Sequence, residues 1–83
     1  MLQPIVKISL DEIYVPVKRR KFLEPEKVEE LAGDILEHGQ KTPIHVRRDK
    51  ERFVLVTGLH RLEAMRALGE ETVAAMIVGA RQY

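Results

Sequence analysis

The residues best suited to chemistry lie in one stretch, Val54-Leu55-Val56-Thr57-Gly58-Leu59-His60-Arg61-Leu62-Glu63-Ala64-Met65. An apolar, β-like run ends at a glycine, and a His-Arg pair then opens an amphipathic helical pattern. A strand that turns through glycine into a helix leaves the first N–H groups of that helix without intrahelical partners. The helix dipole adds positive character at the same end. Such a turn binds phosphate, and a neighbouring cation strengthens the contact. A cation in the first helical turn opposes the dipole, so Arg61 calls for an anion beside it. His60 reads either as a ligand or as a capping and packing residue. Gly58 relieves a tight turn, which also suits close approach of a phosphate. Thr57 is expected to cap the helix or to contact phosphate.

The elements that must hold this turn follow from pattern. Ile5-Val6-Lys7-Ile8 reads as a short strand, and Ser9 to Ile13 as a turn that tucks Leu10 and Ile13 inward. Pro16 to Lys21 reads as a loop carrying Lys18, Arg19, Arg20 and Lys21, the one dense basic cluster. A first helix starts near Pro25, because proline suits the first helical position. Val28, Leu31, Ala32, Ile35 and Leu36 fall at helical spacing and predict one buried face, with Gly39 as the stop. Pro43–Arg48 and Arg52–Val56 read as two strands joined by a hairpin at Asp49-Lys50-Glu51. The second helix is expected from about His60 to Leu68, with Leu62, Met65 and Leu68 inward and Gly69 as its stop. Thr72–Val78 reads as the last strand. The order β, loop, α, β, β, α, β predicts a small α+β domain with a mixed β-sheet and two main helices. Neither the dinucleotide fingerprint nor the P-loop signature is present.

Composition narrows the chemistry. Eighty-three residues make one domain with a small core. A core of that size would gain from a partner, so a homodimer is one expectation. The net charge of +1, with 33% charged residues, describes a salted surface and not a basic nucleic-acid glove. There are no cysteines, so disulfides, thiolate zinc sites and cysteine nucleophiles are excluded. A cytoplasmic location is the expectation. No apolar run approaches the length of a signal or membrane helix, so no membrane partner is expected. His38 and His45 suggest no metal site.

The stretch Phe22 to Gly39 resembles the first characteristic segment of ParB N-terminal domains. Pro43-Ile44-His45-Val46 is similar to the Pro-Ile-Val-Val strand that follows in that family. Gly58-Leu59-His60-Arg61 is similar to its Gly-Glu-Arg-Arg or Gly-His-Arg-Arg turn. Ala64 to Met76 matches its Ala-rich helix, Leu-Gly stop and closing strand. The resemblance covers about residues 4–78, and its strength lies in the order and spacing of short motifs. The same fold family includes sulfiredoxin and free serine kinases. In these relatives the Gly-x-x-Arg turn holds nucleotide phosphates, with CTP in ParB domains and ATP or ADP in the others.

The resemblance implies a nucleotide site lined by Gly58, Leu59, His60 and Arg61. Lys27 stands where a helix lysine of sulfiredoxin contacts nucleotide. Arg19 and Arg20 stand in the basic stretch that faces the nucleotide in ParB domains. Glu30 is the candidate general base if phosphoryl transfer occurs. Glu63 is a candidate for a single carboxylate contact to magnesium. ATP and CTP both remain open as the nucleotide. Two features depart from sulfiredoxin. Leu59 occupies the place of its cysteine nucleophile, which removes sulfinic acid reduction. Glu30 and Asp34 replace its two hydroxylated positions on the first helix. A partition-type ParB also carries helix-turn-helix and dimerisation domains, for which 83 residues leave no room.

The leading expectation is a nucleoside triphosphate-binding switch or adaptor in a DNA-associated system, with DNA or a DNA-associated protein as partner. An ATPase or small-molecule kinase, slow without a second substrate, is the first alternative. A DNA-binding or nuclease-like module is the second, and the near-neutral charge argues against it.

Overall fold

The longest helix, α2 (Pro25–His38), starts and stops where its sequence dictates. Pro25 occupies its first turn, Glu26 complements the dipole, and Gly39 ends it at a φ of 79°. Ile35 is buried, while Val28, Leu31 and Ala32 pack half-buried against the core. Leu36 corrects the expected face, since it is 78% exposed. At 100° per residue it lies about 80° round the helix from Val28, past the rim of the apolar stripe.

The computed structural model describes residues 4–79. Within them run β1 (Ile5–Ser9), a 3₁₀ turn (Leu10–Glu12), β2 (Ile13–Tyr14), α1 (Val17–Arg20), α2, β3 (Ile44–Asp49), β4 (Arg52–Thr57), α3 (Leu59–Ala67) and β5 (Thr72–Ile77). This is an α+β domain with one mixed five-stranded sheet, ordered β1-β5-β3-β4-β2. β1–β5 and β3–β4 are antiparallel, whereas β3–β5 and β2–β4 are parallel. No helix among the described residues is long and apolar enough to cross a membrane.

Two elements differ from the pattern-based expectation. Ile13 and Tyr14 form a fifth strand by pairing with Phe53 and Val54. The expected loop Pro16–Lys21 contains the four-residue helix α1, whose turn is closed by Arg19 and Arg20 N–H groups bonding to the Pro16 carbonyl. The hairpin forms as expected, with Asp49 opposite Arg52 and Lys50 in the left-handed region at a φ of 59°.

Register places Ile8, Val73, Ala75, Ile44, Val46 and Leu55 on one face of the sheet. That face shares a core with Leu59, Leu62 and Met65 of α3 and with Ile35 of α2. Ile44, Leu55, Leu62, Val46 and Val73 are fully buried, and each contributes about 1.5–3 kcal/mol. On the opposite face the Arg52 guanidinium lies 4.1 Å from the centre of the Tyr14 ring, beside buried Val54.

Two irregularities flank β3. From His45 to Val46 the strand advances one residue while its partner β4 moves two, from Thr57 to Leu55. Val56 is therefore the extra residue of a bulge, just before the turn into α3. Ahead of β3, the Gln40 side chain acts as a strand residue. Its carbonyl oxygen accepts the Ala74 N–H at 2.8 Å, and its amide donates to the Ala74 carbonyl at 3.0 Å and the Thr42 carbonyl at 2.9 Å.

Candidate nucleotide site at the start of the third helix

β4 delivers the chain through its bulge to Gly58, which caps α3 at φ 108° and ψ 34°. A side chain here would be doubly disfavoured. The φ lies in the region that only glycine enters freely, and a Cβ would sit 2.7 Å from Ile44 Cγ2. The Gly58 carbonyl accepts the Leu62 N–H at 2.9 Å, the first bond of the helix. Leu59, His60 and Arg61 precede that bond, so their N–H groups have no intrahelical acceptor.

No side chain caps this end. Thr57, expected as a cap, instead ends β4 opposite His45, because the left-handed Gly58 takes the cap position. The first turn of α3 also contains no acidic residue. Arg61 is half-buried there and has no carboxylate within ion-pair distance among the described residues. The contrast with α2 is informative. That helix has Glu24 as its cap residue and Glu26 in its first turn. Lys27 balances Glu24 at 3.5 Å. One helix start is neutralised by its own side chains, and the other presents amides and a guanidinium with no anion.

His60 joins the two helix starts. Its Nε2 accepts the Glu24 backbone N–H at 3.0 Å, across 36 positions of sequence. This bond brings the cap of α2 and the first turn of α3 side by side. Lys27 follows one turn along α2 and is exposed, as is Glu30. Asp34 is held by His38 Nδ1 at 3.1 Å.

A cleft of about 470 Å³ opens beside the turn. Its walls come from Leu10, Asp11 and Ile13 to Val15, from Arg20 and Leu23, and from Leu59, Glu63 and Arg66 of α3. Of the residues singled out from sequence, Arg20, Leu59 and Glu63 line it. Gly58, Lys27, Glu30, Thr57, His60, Arg61 and Arg19 do not. Leu59 is 9% exposed and belongs to the core, so its side chain is packed apolar surface. Glu63 faces Arg66 at 3.4 Å, a pairing its i, i+3 spacing could have signalled. Asp11 and Tyr14 also line the cleft, and they reach it through β2 and the 3₁₀ turn, elements without a periodic signature. Among the described residues no group of three or more His, Cys, Asp or Glu side chains is placed to hold a metal ion.

Comparison with known proteins identifies the fold and the family. A probable chromosome-partitioning protein ParB of Campylobacter jejuni is 38% identical over 71 residues, covering 84% of this chain and 26% of that protein. A nucleoid occlusion protein of Oceanobacillus iheyensis is 36% identical over 76 residues, covering 88% of this chain and 27% of that protein. The chain thus spans about a quarter of the length of these relatives. Among solved structures, sulfiredoxin from Arabidopsis thaliana superposes with a TM-score of 0.83 at 31% identity, covering 93% of this chain and 86% of that one. The chromosome-partitioning protein ParB from Caulobacter crescentus, complexed with CTP-gamma-S, gives a TM-score of 0.81 at 24% identity, covering 95% of this chain and 46% of that one. The family model of the ParB N-terminal domain matches residues 2–82, and the chain belongs to that family.

Proposed function

We propose that this domain binds a nucleoside triphosphate at the Gly58–Arg61 turn and acts as a nucleotide-dependent switch or adaptor in a DNA-associated system. The observation that carries the reading is the start of α3. It has three N–H groups before the first helical bond, no acidic residue in its first turn, and a half-buried Arg61 with no carboxylate partner among the described residues. Anionic oxygens complete such a site through charge-assisted hydrogen bonds. The cleft beside it has the size of a small-molecule site and adds Arg20 from α1.

The relatives supply the context. Proteins named for chromosome partitioning and nucleoid occlusion are 38% and 36% identical to this chain over about a quarter of their length, and a ParB of the same fold is complexed with CTP-gamma-S. CTP is therefore the first nucleotide to test, with ATP second, since a free serine kinase in complex with ADP shares the fold at a TM-score of 0.78. Magnesium would be held mainly by phosphate oxygens and water, because the described residues provide no carboxylate cluster and Glu63 already faces Arg66.

Calorimetric titration with CTP, ATP, GTP and UTP, each with and without magnesium, tests the proposal. Saturable binding that Arg61→Ala weakens is the expected result. No binding of any nucleotide by a folded chain would refute it.

A further inference from the structure

We infer that His60 is a positioning residue, a tether between the basic segment ahead of α2 and the phosphate turn, and that its Nε2 is not a phosphate ligand. The Glu24 N–H lies 3.0 Å from this atom. A ring nitrogen that accepts an N–H cannot carry a proton itself. With Nε2 as the acceptor, the ring hydrogen lies on Nδ1. Beside it, Arg61 is the guanidinium of the first turn of α3.

The tether reaches further than Glu24. Leu23 N–H donates to the Arg20 carbonyl at 3.2 Å, and Phe22 N–H to the Arg19 carbonyl at 3.0 Å. These turns connect α1 to Glu24 with little slack. Fixing Glu24 against His60 therefore sets where α1 lies, and with it Arg20, which lines the cleft together with Leu59 and Glu63. Phe22 is 73% exposed, so core packing at that residue contributes little to holding the segment. Among the described residues, the hydrogen bond from Glu24 is the long-range polar contact that does.

The tether itself stands on the Glu24–His60 geometry. Its effect on ligand affinity rests on the phosphate-site reading above. Both are testable in the 83-residue chain. Long-range nitrogen–proton NMR spectra of the imidazole should show the proton on Nδ1. Exchange of the Glu24 amide should be slower in the wild type than in His60→Ala by roughly five- to tenfold, the factor set by one ordinary hydrogen bond. His60→Gln places an acceptor near the Nε2 position and should restore much of that protection. Inorganic tripolyphosphate is the ligand probe. Its affinity should fall in His60→Ala and recover in His60→Gln, whereas a cationic ligand role would leave the glutamine variant as weak as the alanine one.

A proton found on Nε2, or Glu24 exchange indifferent to His60→Ala, would overturn the tether. If tripolyphosphate binds no variant while Glu24 protection still follows His60, the tether is confirmed and the phosphate site is refuted.

Discussion

Substituting alanine at Gly58 should be the most damaging single methyl addition to this domain, and the structure separates the reasons. The added Cβ would lie 2.7 Å from Ile44 Cγ2, 3.0 Å from its Cβ and 3.3 Å from its Cα. Carbon atoms prefer a separation of about 3.5–4.0 Å, and Ile44 is 0% exposed, so it has no free space to enter. Overpacking of this kind costs about 1–3 kcal/mol. The backbone at φ 108° adds a cost of about 1–2 kcal/mol for a residue with a Cβ. The sum, about 2–5 kcal/mol, is a large share of the roughly 4–12 kcal/mol expected for a chain this long. Two other glycines serve as controls. Gly69 has a φ of 77° and open space around its Cβ position, so Gly69→Ala should show the backbone cost alone, about 1–2 kcal/mol. Gly33 lies inside α2 with nothing within 4 Å, so Gly33→Ala should stabilise by about 0.5–1 kcal/mol. Equilibrium urea unfolding followed by circular dichroism ranks the three. Gly58→Ala as stable as wild type, or no less stable than Gly69→Ala, would show that the close approach to Ile44 is not an energetic constraint.

Other substitutions probe the site and its frame. Arg61→Ala should weaken nucleotide binding by about 1.5–3 kcal/mol, the worth of a hydrogen bond to a charged group. Lys27→Ala should cost less, because Lys27 is exposed and already faces Glu24 at 3.5 Å; equal affinity of wild type and Arg61→Ala in calorimetry ends this reading. Gln40→Ala strips the Ala74 N–H and carbonyl of their side-chain partners and should destabilise by about 1–3 kcal/mol in urea, with nucleotide affinity unchanged. Phosphate release from CTP or ATP by the chain alone should be slow, since Glu30 is exposed and lies outside the cleft walls. Fast release abolished by Glu30→Gln with binding intact would establish an enzyme. Leu59→Cys should not confer reduction of a peroxiredoxin sulfinic acid, because the resemblance implies hydroxylated residues where this chain has Glu30 and Asp34; a positive assay would overturn this.

Features encoded by neighbours in sequence were legible from it. The helix from Pro25 to Gly39, the hairpin at Lys50 and the strand–Gly58–helix junction each follow from a local stop, a local period or a local turn residue. What was not legible depends on distant partners. β2 is a strand only because Phe53 and Val54 lie beside Ile13 and Tyr14, and two residues carry no period. The Val56 bulge is set by the pairing of β4 with β3, not by valine itself. Thr57 had the right chemistry for a cap, yet the left-handed turn moved that position one residue on. Leu36 fitted the helical spacing and fell just outside the contact, since the width of a buried stripe is decided by the surface it meets. The Glu24–His60 bond had no sequence signal, and only the packing of two helix starts reveals it.

The contact between Gly58 and Ile44 also governs when the cost of ordering the turn is met. A loop that bound phosphate from a disordered state would lose backbone entropy with each binding event. Here the turn rests on one of the most buried side chains of the sheet, so its amides are aligned when the chain folds. Little reorganisation then remains for an incoming anion, and most of the energy of its hydrogen bonds is available as affinity. Removing the support, as in Ile44→Ala, which deletes the Cγ2 that Gly58 approaches, should therefore appear, in a variant that circular dichroism shows to be folded, as a less favourable binding entropy.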